Sequence, residues 1–120
     1  MSKNKIRVWD NKNKKYLDEL DYFVDFNGNV FKKQFYEMPP EEDVVVERYT
    51  CIEENNGVEV CEGDLFTRSD VKSNVFSVEF YNGAFWGIPE KGYGHSQPLS
   101  YFTDYLKVVG NIHENTDLLK

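Results

Sequence analysis

Val75-Phe76-Ser77-Val78-Glu79-Phe80-Tyr81-Asn82-Gly83-Ala84-Phe85-Trp86-Gly87-Ile88 is the stretch whose reading decides the fold class. Apolar residues alternate with others on both sides of Asn82-Gly83, and side chains along a strand point to opposite faces in turn, so two half-buried strands are expected. Asn-Gly between such runs is a strong hairpin signal because both residues tolerate the positive φ of a type I′ turn. With the turn there, Phe76, Val78, Phe80 and Phe85 share one face, expected to be core. Trp86 falls on the other face, opposite Glu79 and beside Tyr81.

Toward the N-terminus a second hairpin is read in Tyr22-Phe23-Val24-Asp25-Phe26 and Val30-Phe31-Lys32-Lys33-Gln34-Phe35. A two-residue turn at Gly28-Asn29 sets Phe26 opposite Phe31 and Asp25 opposite Lys32. Tyr22, Val24, Phe26, Phe31 and Phe35 then share a face expected to be buried. A turn at Asn27-Gly28 would mix the faces, which favours the first register. Residues 44–52 and 58–61 read as a third strand pair, and a three-residue Asn55-Asn56-Gly57 turn would place Cys51 opposite Cys61. Glu62-Gly63-Asp64 reverses the chain before Leu65-Phe66-Thr67, with Gly free to take φ > 0 and Asp able to bond its own following backbone. Met38-Pro39-Pro40-Glu41-Glu42-Asp43 is linker-like, since prolines and clustered acids join sheets poorly.

One helix is expected, over residues 96–107. Ser96 and Pro98 are start signals, and Leu99, Phe102 and Tyr105-Leu106 follow at helical spacing. Val108-Val109 and Ile112 then resume an extended pattern, and Asn115 is positioned to cap a final turn through Leu118-Leu119.

The 120 residues suffice for one ordinary hydrophobic core, so a single domain is expected. The net charge of -7 repels phosphate backbones and disfavours non-specific nucleic-acid binding. Charge is unevenly placed: residues 1–15 carry Lys3, Lys5, Arg7, Lys12, Lys14 and Lys15 against Asp10 alone, and everything after them is strongly acidic. No apolar run approaches a bilayer span, and Met-Ser-Lys-Asn-Lys lacks the apolar stretch of a signal peptide. A cytoplasmic protein with Cys51 and Cys61 as free thiols is expected.

Ile6-Arg7-Val8-Trp9-Asp10, Asn56-Gly57, Glu62-Gly63-Asp64, Val78-Glu79-Phe80, and Val109-Gly110-Asn111-Ile112-His113-Glu114-Asn115 with Leu118-Leu119 occur in an order that resembles the YopX family of phage and prophage proteins. Each piece is short, and their ordered combination spans almost the whole chain. The resemblance implies a β-rich core of the SH3-like barrel kind. Joined to the residue pattern, it gives the expectation of a mainly β fold with a small SH3-like barrel core over 41–120, an N-terminal β-hairpin extension over 1–40, and one short helix near the C-terminus. It also implies a phage or prophage gene in a bacterial host. It implies no activity, because the family is uncharacterised.

Chemistry-bearing residues are sparse. His95 and His113 do not form a metal-binding pair, and no Cys-x-x-Cys provides local chelation around Cys51 or Cys61. Gly87, Gly92 and Gly94 lack the following Lys-Ser or Lys-Thr of a phosphate loop and read as flexibility in a surface loop. Glu41-Glu42-Asp43 and Glu53-Glu54 are consecutive acids in polar turns, expected to point into water. No enzyme activity, metal or cofactor is therefore expected.

Two functions compete. A protein-interaction or self-association role would use Trp86, Tyr81 and Tyr93 against a host or phage protein or a second copy. A nucleic-acid-associated role would use Arg7, Trp9, Lys12, Lys14 and Lys15, since small barrels bind single strands through aromatics flanked by basic groups. The acidic remainder also permits imitation of DNA toward a DNA-binding partner.

Overall fold

The computed structural model describes residues 6–25, 27–32, 42–54, 56–68, 71–92 and 94–119, with backbone alone at 32 and 71–73. The chain is mainly β and forms two units, Met1–Arg48 and Tyr49–Lys120.

In the first unit β1 (Ile6–Asp10) pairs antiparallel with β2 (Lys15–Tyr16) on one side. On its other side lies the first part of β5 (Val44–Glu53). Alternation places Ile6, Val8, Val44 and Val46 on one face, where they pack with Tyr22, Val30, Leu17 and Val24 as a small core. Tyr22 and Val30 come from a hairpin of β3 (Tyr22–Val24) and β4 (Val30–Lys32).

That hairpin does not have the register expected from its sequence. Val24 faces Val30 and Phe23 faces Phe31, so the loop is one residue longer than a two-residue turn and the strands are slipped by three positions. An odd slip exchanges the faces. Tyr22, Val24 and Val30 go inward, while Phe31 stacks on Phe23 on the outer face at 5.1 Å. The Asp25 carboxylate fixes this turn: Oδ1 accepts the backbone N–H groups of Asn27 (2.9 Å) and Asn29 (2.8 Å), and Oδ2 accepts Asn29 Nδ2 (3.1 Å). Gly28, at φ 86, supplies the left-handed residue that a three-residue hairpin loop requires. Phe26 and Phe35, expected in the core, lie outside the described residues.

In the second unit the end of β5 pairs with β6 (Glu59–Cys61). Glu53 faces Glu59, the pairing that an Asn55-Asn56-Gly57 turn produces, yet Tyr49 rather than Cys51 faces Cys61. The cause is a bulge: Cys51 takes φ 68, and the Thr50 hydroxyl oxygen accepts the N–H of Ile52 at 3.1 Å. Cys51 is exposed and Cys61 is buried, and no disulfide joins them.

Glu62-Gly63 turns the chain into β7 (Asp64–Arg68). The Asp64 carboxylate reaches back, rather than forward, to the N–H of Cys61 at 2.8 Å. The strands β8 (Val71–Tyr81) and β9 (Ala84–Lys91), then β10 (Gln97–Pro98) and β11 (Leu106–Asn111), complete a five-stranded sheet in the order β10-β9-β8-β7-β11. Around Asn82-Gly83 the expected register holds, with Phe80 opposite Phe85, Glu79 opposite Trp86 and Val78 opposite Gly87. Both turn residues have positive φ, 49 and 79.

The core of this unit is Val60, Phe66, Phe76, Val78, Leu99, Phe102 and Leu106. Phe66, Phe76 and Phe102 meet with ring centroids 4.9–5.4 Å apart. Gly87 makes this possible. A Cβ there would lie 2.6 Å from the Phe102 ring and 2.8 Å from that of Phe66, so Gly87 provides space inside the core, not flexibility in a loop. Phe80 and Phe85, expected to be buried in the core, are half-buried against each other near the hairpin end.

Residues 96–107 do not form an α-helix. Gln97–Pro98 pairs with Trp86-Gly87 as an edge strand, and only Leu99–Phe102 makes a 3₁₀ turn. Leu99, Phe102 and Leu106 are the buried residues whose spacing suggested the helix, and Tyr105 is exposed. A second 3₁₀ turn, Thr116–Leu119, closes the chain.

Phe66→Ala should destabilise the protein by about 3 to 5 kcal/mol, and Phe80→Ala by clearly less, about 1 to 2 kcal/mol, because truncation cost follows burial. Urea melts of the two variants test the order.

Hydrogen bonds from Asn29 hold the Asp25 carboxyl below its ordinary value of 3.8. A depressed carboxylate contributes stability above its unfolded pKa, and that contribution is lost as pH falls through the folded value. An NMR titration should give Asp25 a midpoint below 3.8, with the Asn27 and Asn29 amides shifting in the same step.

Candidate functional site

Arg7 and Trp9 lie on the face of β1 away from the small core, and both are committed to the fold. Arg7 stands opposite Glu47, a residue 3% exposed, and its Nε donates to Glu47 Oε1 at 2.8 Å. The Tyr16 hydroxyl donates to the same oxygen at 2.9 Å, and the Arg7 guanidinium lies 4.5 Å from the Tyr16 ring centre. Trp9 is 2% exposed and meets Tyr16 edge to face at 5.0 Å. Neither Arg7 nor Trp9 presents a free stacking or charged surface in this arrangement.

Lys12, Lys14 and Lys15 are exposed around the turn between β1 and β2. The Asp10 carboxylate shapes that turn by accepting the N–H groups of Lys12 (2.9 Å) and Asn13 (3.2 Å) and the Asn13 amide (2.8 Å). Lys12 and Lys14 thus sit in a defined turn and Lys15 opens β2, and all three are exposed.

At the far end of the β8–β9 hairpin, Tyr81 and Trp86 stack at 5.0 Å with their planes 17° apart. Trp86 Nε1 donates to the Tyr81 carbonyl at 3.1 Å, which fixes the indole over the phenol. Tyr81 is 40% exposed, Trp86 is half-buried, and Glu79, directly across from Trp86, is exposed. The 3₁₀ turn bearing Phe102 packs on the opposite face, at Gly87, and therefore does not cover the indole. Tyr93 lies outside the described residues. A cation or an apolar side chain meets here a double aromatic surface with a carboxylate beside it.

A second aromatic surface escaped the sequence reading. Phe23 and Phe31 are stacked on the outer face of β3–β4, and Leu20, three residues before Phe23 in the chain, is 73% exposed. The signal was present in the alternation of 22–24 with 30–32, but it becomes legible only in the longer-loop register.

The buried carboxylates are occupied with backbone and side-chain donors. Glu54, expected to point into water, is 9% exposed and its Oε2 accepts the Val108 N–H at 2.8 Å. Asp64, Asp10 and Glu47 hold the groups described above. His95 is exposed, and the His113 N–H donates to Asn111 Oδ1 at 3.0 Å. Among the described residues no three His, Cys, Asp or Glu side chains are grouped to hold a metal ion. Nor is any described helix long and apolar enough to cross a membrane.

A family model described as YopX protein matches residues 5–120. The fold is similar to that of protein EF1440 from Enterococcus faecalis, with 22% identity, a TM-score of 0.60 and coverage of 97% of this chain and 97% of that one. It is also similar to protein YopX from Bacillus subtilis, with 20% identity, a TM-score of 0.62 and coverage of 96% and 97%. At these identities the likeness is one of fold. No curated protein matches the sequence.

Glu47→Ala should cost about 2 to 4 kcal/mol, since it strands the Arg7 charge and the Tyr16 hydroxyl together. Alanine at Lys12 or Lys15 should change stability by less than about 0.5 kcal/mol. Chemical denaturation of the three variants checks the contrast.

Proposed function

The chain belongs to the YopX family, and from that premise we propose that it is a phage or prophage accessory protein of the bacterial cytoplasm that acts without catalysis, by binding another protein through its Tyr81–Trp86 face. The observation that carries this reading is the stacked, hydrogen-bonded aromatic pair held on the face of the hairpin opposite the core. Such a pair is rigid before any partner arrives, so little side-chain entropy is lost on contact. Aromatic side chains of this kind are the usual anchors of protein interfaces.

Glu79 and the net charge of -7 indicate a partner that presents arginine or lysine. A guanidinium can stack on the exposed aromatic surface while pairing with the Glu79 carboxylate, two interactions that reinforce each other when water is excluded. The non-catalytic reading is supported by the employment of the buried carboxylates as backbone acceptors, which leaves them bound where a general acid or base would have to be available. A nucleic-acid role would rest on Lys12, Lys14 and Lys15, because Trp9 is buried and Arg7 is paired.

Capture with the tagged protein from phage-bearing host cells should recover one protein at stoichiometric yield, in a manner insensitive to nuclease. Trp86→Glu should abolish that recovery while leaving the circular dichroism spectrum unchanged. Equal recovery with Trp86→Glu, or recovery that nuclease removes, would overturn the proposal. A homodimer detected by light scattering and dissolved by the same substitution would instead make the partner a second copy.

A further inference from the structure

Among the described residues β11 is an end strand of its sheet and pairs with β7 alone. An open strand edge offers unpaired N–H and C=O groups to any other chain. Here two backbone N–H groups of that strand are taken by side chains of the same unit. The Val108 N–H donates to Glu54 Oε2 at 2.8 Å, and the Asn111 N–H donates to Asn115 Oδ1 at 3.0 Å. The Asn115 N–H in turn donates to the Asn111 carbonyl at 3.1 Å. Asn115 thus gives Asn111 both halves of the hydrogen-bonded pair that a neighbouring antiparallel strand would give.

This arrangement explains much of the Gly110-Asn111-Ile112-His113-Glu114-Asn115 motif. A Cβ at position 110 would lie 2.5 Å from the Asn115 amide, so only glycine leaves room for that side chain against the strand. The Asn111 side chain accepts the N–H groups of His113 and Glu114 and donates to Glu114 Oε1, holding the tight turn that returns Asn115 to the edge. Asn115 was expected to cap the final turn, and its amide faces back to β11 instead.

We propose that Glu54 and Asn115 are a paired guard that closes the β11 edge against strand addition, and that the chain they exclude is β11 of a second copy. Val109 of β11 is 38% exposed and Ile112, just past the end of the strand, is 36% exposed, so this edge presents apolar side chains that a like edge would match across a two-fold axis. The guard concerns β11 and is independent of the Tyr81–Trp86 face.

Hydrogen exchange on the intact protein tests the first half. The Val108 and Asn111 amides should exchange as slowly as those of β8, and exchange as fast as unpaired edge amides would refute the guard. Glu54→Ala should speed exchange at Val108, and Asn115→Ala at Asn111, each by about tenfold or more and without moving the other amide. The double variant, folded by circular dichroism, should self-associate with rising concentration in sedimentation, and adding Val109→Lys should restore the monomer because an edge lysine opposes pairing. A folded double variant that stays monomeric, or association that Val109→Lys leaves untouched, overturns the second half. If the double variant does not fold, the two single variants and their amides decide.

Discussion

Two successive left-handed residues, Asn82 and Gly83, constrain most of what the second unit does. Their turn fixes which residue of β8 faces which residue of β9, and the two-residue period of a strand then sorts every side chain to one face or the other. Phe76, Val78 and Gly87 go inward because of that choice, and Glu79, Tyr81 and Trp86 go outward. The missing side chain at Gly87 admits Phe102 and Phe66, so the last third of the chain can dock onto the hairpin. Core and candidate surface are consequences of one local conformation.

The turn and register of this hairpin were legible in the sequence because their determinants are adjacent residues with strong conformational preferences, whereas the half-burial of Phe80 and Phe85 and the core position of Gly87 were not. The β3–β4 hairpin was less legible. Its turn is held by the Asp25 carboxylate across four residues, and a side chain that competes with the turn backbone leaves only a weak compositional trace. The thiols were misplaced for a similar reason: the pairing of Glu53 with Glu59 is the one expected from the sequence, but a bulge at Cys51, a residue seldom found at positive φ, displaces the pairing beyond it. The spacing of Leu99, Phe102 and Leu106 imitates a helix because a 3₁₀ turn followed by a reverse turn also returns side chains to one side at intervals of three and four. The aromatic pair Tyr81–Trp86 was placed correctly by register alone, whereas the burial of Trp9 had no signal in its own strand, where Arg7 alternates with it as on a solvated face.

The acidic character of the chain has two components that composition merges. Some carboxylates are solvated. Others are internal fasteners: Glu47 gathers Arg7 and Tyr16, Asp64 ties the turn between β6 and β7, and Glu54 joins the loop after β5 to β11. A carboxylate accepts several donors at once and gains strength from its charge, which suits it to places where strands end and backbone groups lack partners. Part of the acid content is therefore explained by the architecture before any binding role is considered.

The two tryptophans are distributed one to each unit, and their surroundings differ in kind. Trp9 is sealed from water beside Tyr16, while Trp86 is partly wet and lies flat on Tyr81. An indole in an apolar enclosure emits at shorter wavelength than one in contact with solvent, so the intrinsic fluorescence of this protein contains two resolvable reporters, one for each unit. Replacing either indole with phenylalanine would isolate the other, and the loss of order in 1–48 and in 49–120 could then be timed separately without any added label.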